Sequence, residues 1–532
     1  MTWRTRVAHL VAAVCAPAVP ALLATSTVIR AQPPAYPSAA SRFGGSVAIR
    51  ETESPDCLDP QKTVSGASFG IFNEIVDTLM TRDNKGNLQP DLATKWTFSH
   101  GGKWVTFFLR HGVKFSNGDP FTASAVKYTF DRAVKPSTKS PGSGGQLAPV
   151  RKTVVVNRLE VRLILKAPYR PLLSNLSVSF LGILDPKATQ QDGGKSCQNP
   201  IGTGAYKVKS VGPGFSTVTL VRNPYHTWES PWLHNHGAAY LQQLVFTPII
   251  SDSTATSELL TGEVDISAIP GTQLIRVQGD SSIKLHKNFE LAASVLNFNE
   301  SHPPFNKPAV RRAVAEVIDR KALIKVALNG LAVPVYAPIG LHVPFYPKTA
   351  QASAARYHLA DARRIIAANH ATGPYTLVTF NDPFVVTAVE LIQAELAQVG
   401  MNVKVETKPV ADYIATCGKG QCDIDLNFWG WPDADIMYIF LSSTEAKSSG
   451  SNFSYLPKAS QARIDTLLNE GRTSVQSAKA AKAYGELVKY INQNAILVPI
   501  WDPIAVTAAR ARVKGWHTDF EGIIQYPDLY VT

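Results

Sequence analysis

One segment of the sequence changes twice between strand and helix periodicity. Residues 375–380 (YTLVTF) are rich in β-branched and aromatic side chains and residues 402–406 (NVKVE) alternate polar with apolar side chains, so both predict strands. A helix is predicted between them, from about Thr387 to Val399, with Gly400 ending it. Because two consecutive strands joined by a helix form a parallel crossover, this unit predicts a sheet with helices packed on it.

The same alternation extends along the chain and sets the fold class. The clearest helical pattern runs from Val310 to Leu328, with Gly330 just beyond its end, and its apolar stripe is interpreted as core. Short strand patterns occur earlier in the chain, at residues 46–50, 104–109, 218–221 and 244–249. Together these patterns predict an α/β or mixed α+β fold, without an internal repeat.

The chain is too long for a single hydrophobic core. It has 532 residues, of which 45% are hydrophobic and 18% are charged, which is an ordinary globular composition. At least two domains are therefore expected. The formal net charge is +12, but the basic residues are scattered rather than interleaved with aromatic residues in arrays, so nucleic-acid binding is not expected.

The N-terminus has the pattern of an export signal. Its first 40 residues contain arginine but no acidic residue, and they enclose a long, uncharged, mostly apolar run. Residues 1–30 are predicted to be the signal, although the run is also long enough to remain uncleaved as a membrane anchor. Residues 31–43, rich in Pro, Ala and Ser, predict a disordered tether. The mature protein is therefore expected outside the cytoplasm, in a periplasm or at the cell surface.

Export would place the chain in an oxidising compartment, where paired cysteines form disulfides. The cysteines that follow the signal are Cys57, Cys197, Cys417 and Cys422. The short spacing of Cys417 and Cys422 suits a small closed loop, which leaves Cys57 to pair with Cys197. Zinc is the alternative, but neither Cys57 nor Cys197 has a Cys or His at the short spacing that zinc sites use. Two disulfides are predicted, with no metal and no cofactor.

The most specific motif lies at residues 92–130. It joins an aromatic strand to a tight turn at Asn117 and Gly118, and then to an amphipathic helix that begins near Thr122. This pattern resembles the signature of the family 5 solute-binding proteins of ABC importers, which include dipeptide, oligopeptide and nickel binders. The matching positions are Ala93, Trp96, Leu109, Arg110, Gly112, Val113, Phe115, Gly118, Pro120, Ala123, Val126 and Phe130. Further matches follow in family order at residues 200–208, 221–226, 262–266, 296–299 and 305–324.

The resemblance implies a periplasmic-binding-protein-like fold of type II, with two α/β lobes and a hinge where the chain crosses near Phe298 and Pro499. The boundaries that it implies are residues 44–295 and 499–532 for lobe one, about 85–198 for a subdomain inserted into lobe one, and 296–498 for lobe two. It also implies a function. The chain, as a monomer, would close its lobes around a peptide-like solute and deliver it to the permease and ATPase subunits of an ABC importer.

The solute site is predicted at residues 428–435 (FWGWPDAD), which follow an apparent strand. Trp429 and Trp431 offer aromatic surface, and Asp433 and Asp435 can pair with a cationic amine. In the peptide binders of the family an Asp of this turn pairs with the peptide amino terminus, so the resemblance implies that role for Asp433 or Asp435. Alternatively, both Trp residues are core and both Asp residues cap the helix that follows.

Four further residues are weaker candidates for the site. Asn297 and Asn299 lie on one face of the strand that enters lobe two, where they could contact a solute or form hydrogen bonds within the hinge. Tyr206 follows the turn at residues 202–204, and Trp501 lies near the return crossing. For Tyr206 and Trp501 a packing role is favoured over contact with a solute.

No enzyme is predicted. Residues 66–70 (GASFG) match GxSxG, but the residues before them do not form the strand that a nucleophile elbow requires. Residues 431–433 (WPD) match a tyrosine-phosphatase loop, yet no cysteine has an Arg six residues later. Metalloprotease HExxH and P-loop motifs are absent from the sequence. His234 and His236 could contact a metal, but they are interpreted as surface imidazoles.

Two other functions are compatible with the sequence. One is the binding of a non-peptide solute, such as a nickel chelate, a glutathione-like molecule or a glycoside, because the turn is shorter than in the family and Trp431 stands about where the amine-pairing Asp is usual. The other is a receptor or chaperone-like role on the same fold. Permease and ATPase genes adjacent to this gene would favour transport.

Overall fold

A computed structural model describes residues 42–381, 383–448 and 452–532. The predicted export signal, and the predicted tether as far as residue 41, lie outside this part of the chain. Within it, no helix combines the length and apolar character needed to cross a membrane. Arg42 and Phe43, the last two residues of the predicted tether, belong to the folded unit: the Phe43 ring meets the Tyr240 ring edge-on, with centroids 5.3 Å apart. The tether prediction is therefore wrong for these two residues.

Strands and helices alternate along the described chain. The strands are β1 (Ser46–Glu51), β2 (Met80–Arg82), β3 (Leu88–Pro90), β4 (Ala93–Ser99), β5 (Trp104–Leu109), β6 (Val150–Asn157), β7 (Glu160–Leu165), β8 (Tyr206–Val211), β9 (Val218–Arg222), β10 (Gln243–Pro248), β11 (Ile266–Ala268), β12 (Ile283–Phe289), β13 (Ala292–Phe298), β14 (Ala332–Pro334), β15 (Tyr375–Phe380), β16 (Val403–Lys408), β17 (Ile424–Gly430), β18 (Leu497–Arg510), β19 (Val513–Lys514) and β20 (Tyr530–Val531). The helices are α1 (Gly66–Phe72), α2 (Ala123–Val134), α3 (Ser143–Gln146), α4 (Leu172–Asn175), α5 (Pro186–Gln191), α6 (Asp252–Thr261), α7 (Leu274–Val277), α8 (Pro308–Val317), α9 (Arg320–Ala327), α10 (Ala350–Ser353), α11 (Leu359–Ala368), α12 (Pro383–Gln398), α13 (Val410–Gly418), α14 (Ile436–Leu441), α15 (Ser443–Ser448), α16 (Lys458–Thr473) and α17 (Ser477–Asn494).

Twelve strands form one continuous sheet that extends through both lobes. Its order is β16-β15-β17-β13-β18-β11-β1-β10-β9-β8, and β12 and β14 also pair with β18. Strands β15 and β16 are parallel neighbours along their full length, from Tyr375 beside Val403 to Phe380 beside Lys408, and helix α12 connects them. The predicted parallel crossover is therefore confirmed, and with it the α/β fold class.

Lobe one contains two main cores. The first lies on strands β1, β9 and β10 and includes Val47, Leu220 and Phe246, each at most 1% exposed. The second belongs to the separate antiparallel sheet β4-β5-β7-β6, where Phe107 and Phe130 are buried between the sheet and helix α2. Because β4, β5 and α2 come from the family motif, the motif residues serve packing, as predicted. The boundaries of the inserted subdomain stay a prediction.

The glycines at residues 200–208 have a steric reason. A Cβ atom on Gly202 would lie 2.1 Å from the Ile75 carbonyl oxygen, and one on Gly204 would lie 2.5 Å from the Glu74 carbonyl oxygen. Glycine alone permits such a close approach of two backbone segments. Next to this contact the amide of Tyr206 donates to the Glu74 carbonyl at 3.0 Å, and Tyr206 is fully buried. Tyr206 is a core residue of lobe one.

Lobe two buries both faces of its part of the sheet. Helices α8, α9, α11 and α12 cover one face, around Phe298, and helices α14, α16 and α17 cover the other, around Val295. Both residues belong to β13 and differ by three positions, so they point to opposite faces. Every residue of β13 is accordingly buried, and the strand is apolar except at Ser294 and Asn297.

One predicted helix is divided in the structure. The sequence predicts a single helix over residues 310–328, but α8 and α9 are separated by a break at Asp319. The Asp319 carboxylate accepts hydrogen bonds from the amides of Lys321 and Ala322, both at 3.1 Å, and so caps a new helix. The prediction of one continuous helix is wrong, whereas the predicted burial of its apolar stripe is confirmed.

Two segments connect the lobes. The chain enters lobe two through residues 289–292, between β12 and β13, and returns through residues 501–504 of β18. Strand β18 pairs with β13 and β14 on the lobe-two side and with β11 and β12 on the lobe-one side. These crossings lie within ten residues of Phe298 and Pro499, where the sequence predicts them.

Both predicted disulfides are present. Cys57 bonds to Cys197 across a sequence separation of 140 residues and so joins the segment after β1 to the segment that precedes β8. Cys417 bonds to Cys422 across 5 residues and closes the loop between α13 and β17.

Removal of the long-range disulfide should cost more stability than removal of the short one. We expect the pair Cys57→Ser and Cys197→Ser to lower the free energy of unfolding by about 5 kcal/mol, because the unfolded chain regains the entropy of a long loop, and Cys417→Ser with Cys422→Ser to lower it by about 2 kcal/mol. Urea unfolding monitored by circular dichroism measures both values. Equal losses for the two pairs would contradict this account.

Candidate functional site

Strands from both lobes end around one cavity. The carboxyl ends of β1 and β11 in lobe one and of β15 and β17 in lobe two meet there, beside the two crossings. The cavity has a volume of about 490 Å³. In α/β proteins ligands bind at such strand ends, in clefts that both halves of the protein line. This cavity, called the cleft below, is the candidate solute site.

Aromatic side chains form the lobe-two wall of the cleft. Phe380 ends β15, Phe384 lies in the first turn of α12, and Phe428 lies near the end of β17. Trp501, from the return crossing, also borders the cleft, although it is only 2% exposed. Rings of this kind offer a large apolar surface to a solute at little cost in side-chain entropy.

The lobe-one wall carries an ion pair. The Arg50 guanidinium pairs with Asp252 at 2.6 Å and donates to the carbonyl oxygens of Ile249 and Ala268 at 2.9 and 3.0 Å. The Arg50 side chain is 1% exposed, whereas that of Asp252 is 47% exposed. Arg50 is therefore fixed by the protein, and Asp252 presents an accessible carboxylate at the cleft.

Phe428 and Trp429 point to opposite faces of the sheet, as successive residues of a strand do. Phe428 lines the cleft and is 36% exposed, whereas Trp429 is 4% exposed. The Trp429 ring stacks on Phe440 with centroids 4.2 Å apart, and its indole N–H donates to the Pro338 carbonyl at 2.8 Å. Trp429 thus packs in the core, and the residue of this turn that reaches the cleft is Phe428, which begins the predicted segment but is not among the residues predicted individually to bind solute.

The predicted acidic turn contacts the opposite lobe. The Arg170 guanidinium of lobe one donates two hydrogen bonds to the Asp433 carboxylate of lobe two, at 2.6 and 2.8 Å. These side chains are 13% and 4% exposed, and the Phe345 ring lies 4.6 Å from the guanidinium carbon. A buried, bidentate pair is among the stronger polar contacts in proteins. In this arrangement Asp433 is engaged by the protein itself.

Asp435 belongs to the same contact between the lobes. Its carboxylate accepts hydrogen bonds from the Tyr169 hydroxyl of lobe one at 3.1 Å and, within lobe two, from Arg472 at 3.0 Å and the Tyr484 hydroxyl at 3.4 Å. Burial raises the pKa of Asp435 to about 6, although the charge of Arg472 acts against that rise. Asp435 occupies the position before α14, but its side chain makes no capping hydrogen bond, so the capping interpretation fails for this residue.

Trp431 completes the contact between the lobes. It is half-buried, and its indole N–H donates to the Asn175 side-chain oxygen of lobe one at 3.4 Å. We call this set of residues the inter-lobe network: Tyr169, Arg170, Asn175, Trp431, Asp433 and Asp435. Three of the predicted site residues therefore lie together, where they bind the other lobe.

The two predicted asparagines form internal hydrogen bonds. Asn297 donates to the Asp425 carboxylate at 2.9 Å, and Asn299 donates to the Gly420 carbonyl at 3.1 Å. Both are at most 4% exposed. Among the residues predicted for the solute site, Trp501 is the one that borders the cleft in the described part of the chain. Solute contact by the others stays a prediction.

A smaller cavity of about 80 Å³ lies within lobe one and is lined by acidic side chains. These are Glu74, Asp77, Asp91, Glu229, Asp519 and Glu521. Burial raises the pKa of Glu229 and of Glu521 to about 7. Burial alone would lower the pKa of His226, but Glu229, 3.1 Å from its Nε2, and Asp77 raise it to about 10. A charged imidazole thus compensates part of this acidic wall.

Known proteins share this architecture. The probable D,D-dipeptide-binding periplasmic protein DdpA of Escherichia coli (strain K12) is 26% identical over 491 residues, which cover 88% of this chain and 90% of that protein. The glutathione-binding protein GsiB of Pectobacterium atrosepticum is 27% identical over 385 residues, covering 70% and 72%. The structure of the periplasmic binding protein DppA of Helicobacter pylori in complex with the peptide STSA superposes with a TM-score of 0.76 at 25% identity, covering 92% of this chain and 99% of that chain.

Two α/β lobes that are joined by two crossings and enclose a cleft define a periplasmic-binding-protein-like solute binder. The family model described as "Bacterial extracellular solute-binding proteins, family 5 Middle" matches residues 87–449. The chain belongs to this family of extracellular solute-binding proteins, which are binders and not enzymes. The resemblance that the sequence motifs carry is confirmed.

Neighbouring aromatic residues should respond differently to truncation. Phe428→Ala should weaken solute binding by about 10- to 100-fold, since an apolar contact worth about 1.5–3 kcal/mol is lost, and should leave the free energy of unfolding nearly unchanged. Trp429→Ala should instead lower that free energy by about 3–5 kcal/mol through the cavity that it leaves. Calorimetry with a solute that binds the wild type, together with urea unfolding, measures both. A folded Trp429→Ala protein that loses binding, beside a Phe428→Ala protein that retains it, would reverse the assignment.

The buried acid at the return crossing should make stability depend on pH. The Asp502 carboxylate accepts hydrogen bonds from the amides of Leu341 and Ala292 at 2.7 and 3.3 Å, and burial raises its pKa from 3.8 to about 7 despite them. At pH values between 3.8 and about 7, Asp502 keeps its proton in the folded chain and releases it in the unfolded chain. The free energy of unfolding therefore falls as the pH rises through this interval.

In Asp502→Asn this contribution should disappear. The difference in unfolding free energy between wild type and variant should change by up to about 1.4 kcal/mol per pH unit between pH 4 and pH 7. Urea unfolding at a series of pH values measures it. The exposed Asp131→Asn variant is the control and should parallel the wild type. A difference curve for Asp502→Asn that is flat over this interval would rule the effect out.

Proposed function

We propose that this chain is the substrate-binding component of an ABC importer and that it captures a peptide-like solute outside the cytoplasmic membrane. In this proposal residues 1–30 direct export, and the protein works as a monomer that delivers its solute to the permease and ATPase subunits. The observation that carries the proposal is the cleft of about 490 Å³ that both lobes line at their strand ends. Relatives named for dipeptide and glutathione binding support a peptide-like solute.

The walls of the cleft suit the two parts of a small peptide. Phe380, Phe384 and Phe428 would pack against an apolar side chain of the solute. The accessible carboxylate of Asp252, on the opposite wall, would accept hydrogen bonds from a cationic amine. A solute that reaches both walls favours the closed arrangement of the lobes, because it gains both sets of contacts only there.

The family resemblance implies that the amino group of the solute pairs with Asp433 or Asp435 rather than with Asp252. A solute amine that binds Asp433 would have to displace the Arg170 guanidinium. Because one cation then replaces another, the buried Asp433 carboxylate would keep a positively charged partner. Asp252 requires no such exchange, since one side of its carboxylate is exposed. We therefore assign the amine to Asp252 and keep Asp433 as the alternative.

The peptide assignment is tested with the exported protein, free of affinity tags. Mass spectrometry of the material extracted from the purified protein should identify a peptide or peptide-like molecule. Calorimetry with di- to pentapeptides should show saturable binding at one site per chain. Binding of glutathione or of a nickel–histidine complex, without binding of these peptides, would favour the non-peptide alternative. Absence of any bound small molecule would favour the receptor or chaperone-like role.

The amine assignment is tested with a matched pair of peptides. N-acetylation removes the cation from a peptide that binds the wild type, and we expect this to weaken binding about tenfold or more, the effect of losing a charge-assisted hydrogen bond. In Asp252→Asn, acetylation should have little further effect, because its partner is already gone. If Asp433→Asn removes the sensitivity to acetylation and Asp252→Asn does not, the amine binds at Asp433.

A further inference from the structure

Two histidines and an aspartate from distant parts of the chain converge in lobe one. His234 precedes β10, and His517 and Asp528 lie between β19 and β20. Each of the three offers a ligand atom, and these atoms all lie within 4.8 Å of one another. The Asp528 Oδ2 atom is 3.6 Å from His234 Nδ1 and 3.0 Å from His517 Nε2. This cluster lies outside the cleft and outside the inter-lobe network.

The distances fit a small divalent transition metal. Ligand atoms about 2.0–2.1 Å from a tetrahedral zinc ion lie about 3.3 Å from each other. The two distances from the imidazoles to Asp528, 3.6 and 3.0 Å, bracket that value, and the two imidazole nitrogens lie within 4.8 Å of each other. Two imidazoles with one carboxylate are a zinc ligand set that leaves a coordination position open. The His234 side chain is 81% exposed, so an ion can enter from solvent and a water molecule can complete its shell.

The surroundings hold the carboxylate and one imidazole in a ligating orientation. The amides of His234 and Asn235 donate to Asp528 Oδ2 and Oδ1 at 3.0 and 2.6 Å. His517 Nδ1 lies 3.3 Å from the Gly515 carbonyl oxygen, which favours the tautomer that leaves Nε2 unprotonated. The Trp232 ring packs edge-on against His517 with centroids 5.5 Å apart. Such outer partners orient the ligands of metal sites.

The site also lacks a permanent positive charge. The Asp528 side chain is 2% exposed, and among the described residues no lysine or arginine nitrogen lies within 4.0 Å of its carboxylate. The buried Nε2 of His517 has no hydrogen-bond partner there, although it lies 3.0 Å from Asp528. A buried carboxylate needs a cationic partner, and two neighbouring acceptors that do not hydrogen-bond each other are what a shared metal ion requires.

We propose that His234, His517 and Asp528 bind one zinc-like divalent metal ion. Of these residues the sequence pattern points only to His234, which is interpreted there as a surface imidazole, and the family assignment does not include the site. The metal joins the loop before β10 to the C-terminal segment. That segment also carries Phe520, which packs against a core of lobe two. The ion therefore fixes a segment that contacts both lobes.

Zinc binding to the tag-free protein tests the site directly. After removal of metals with EDTA, equilibrium dialysis against zinc chloride should show one ion per chain, whereas magnesium and calcium, which prefer oxygen ligands, should not bind there. His234→Gln and His517→Gln should each weaken zinc binding at least about tenfold, because even the loss of an outer-shell partner costs about 10- to 100-fold. His236→Gln removes an exposed imidazole from the same loop and should bind zinc as the wild type does.

A second measurement does not depend on counting ions. Zinc should raise the midpoint of thermal unfolding of the wild type and of His236→Gln, and it should leave that of His517→Gln unchanged, since a ligand stabilises only a fold that binds it. Cobalt in place of zinc should give the visible absorption of a tetrahedral site in the wild type and lose it in His517→Gln. Wild-type protein that binds no zinc at micromolar concentrations, equal binding by all four proteins, or an equal loss in His236→Gln would each overturn the proposal.

Discussion

The backbone ladder of β18 is the interaction on which the two-lobed structure depends. This strand pairs with β13 and β14 in lobe two and with β11 and β12 in lobe one. Its side chains enter the cores of both lobes, with Val498 in one and Val506 in the other. To separate the lobes completely would expose buried backbone donors and acceptors, so relative motion has to pivot about the crossings. Both lobes line the cleft beside this pivot, so a rotation of one lobe against the other changes the distance between its walls.

The features that could be predicted from the sequence are those that local residue patterns and steric rules determine. Strand periodicity locates part of the large sheet, including β1, β9, β10, β15 and β16. The crossover from β15 to β16 follows from their order, and the number and spacing of cysteines predict both disulfides. Asp319 shows a limit of that approach. The apolar stripe on both sides of it is continuous, and only the capping hydrogen bonds divide α8 from α9. A capping residue inside an apolar pattern is a signal that the prediction could have used.

The site depends on contacts that the local pattern does not contain. The period of two places Phe428 and Trp429 on opposite faces, but it does not say which face borders the cleft, and the register with β13 decides that. Arg170 is 263 residues away from Asp433 in the sequence, so the partner of the predicted acid appears only in three dimensions. The same holds for His234 and Asp528, whose separation along the chain hides the convergence of their side chains.

The ion pair between Arg170 and Asp433 has a kinetic consequence. The pair connects the two lobes without any solute. The Arg170 and Asp433 side chains are only 13% and 4% exposed, so salt screens their attraction poorly. A rotation that separates the lobes at this contact has to break the pair, so the pair favours the closed arrangement even without a solute. Where solute enters only an open form, such a bias lowers the fraction of molecules that can admit it and so slows association without altering any contact to the solute.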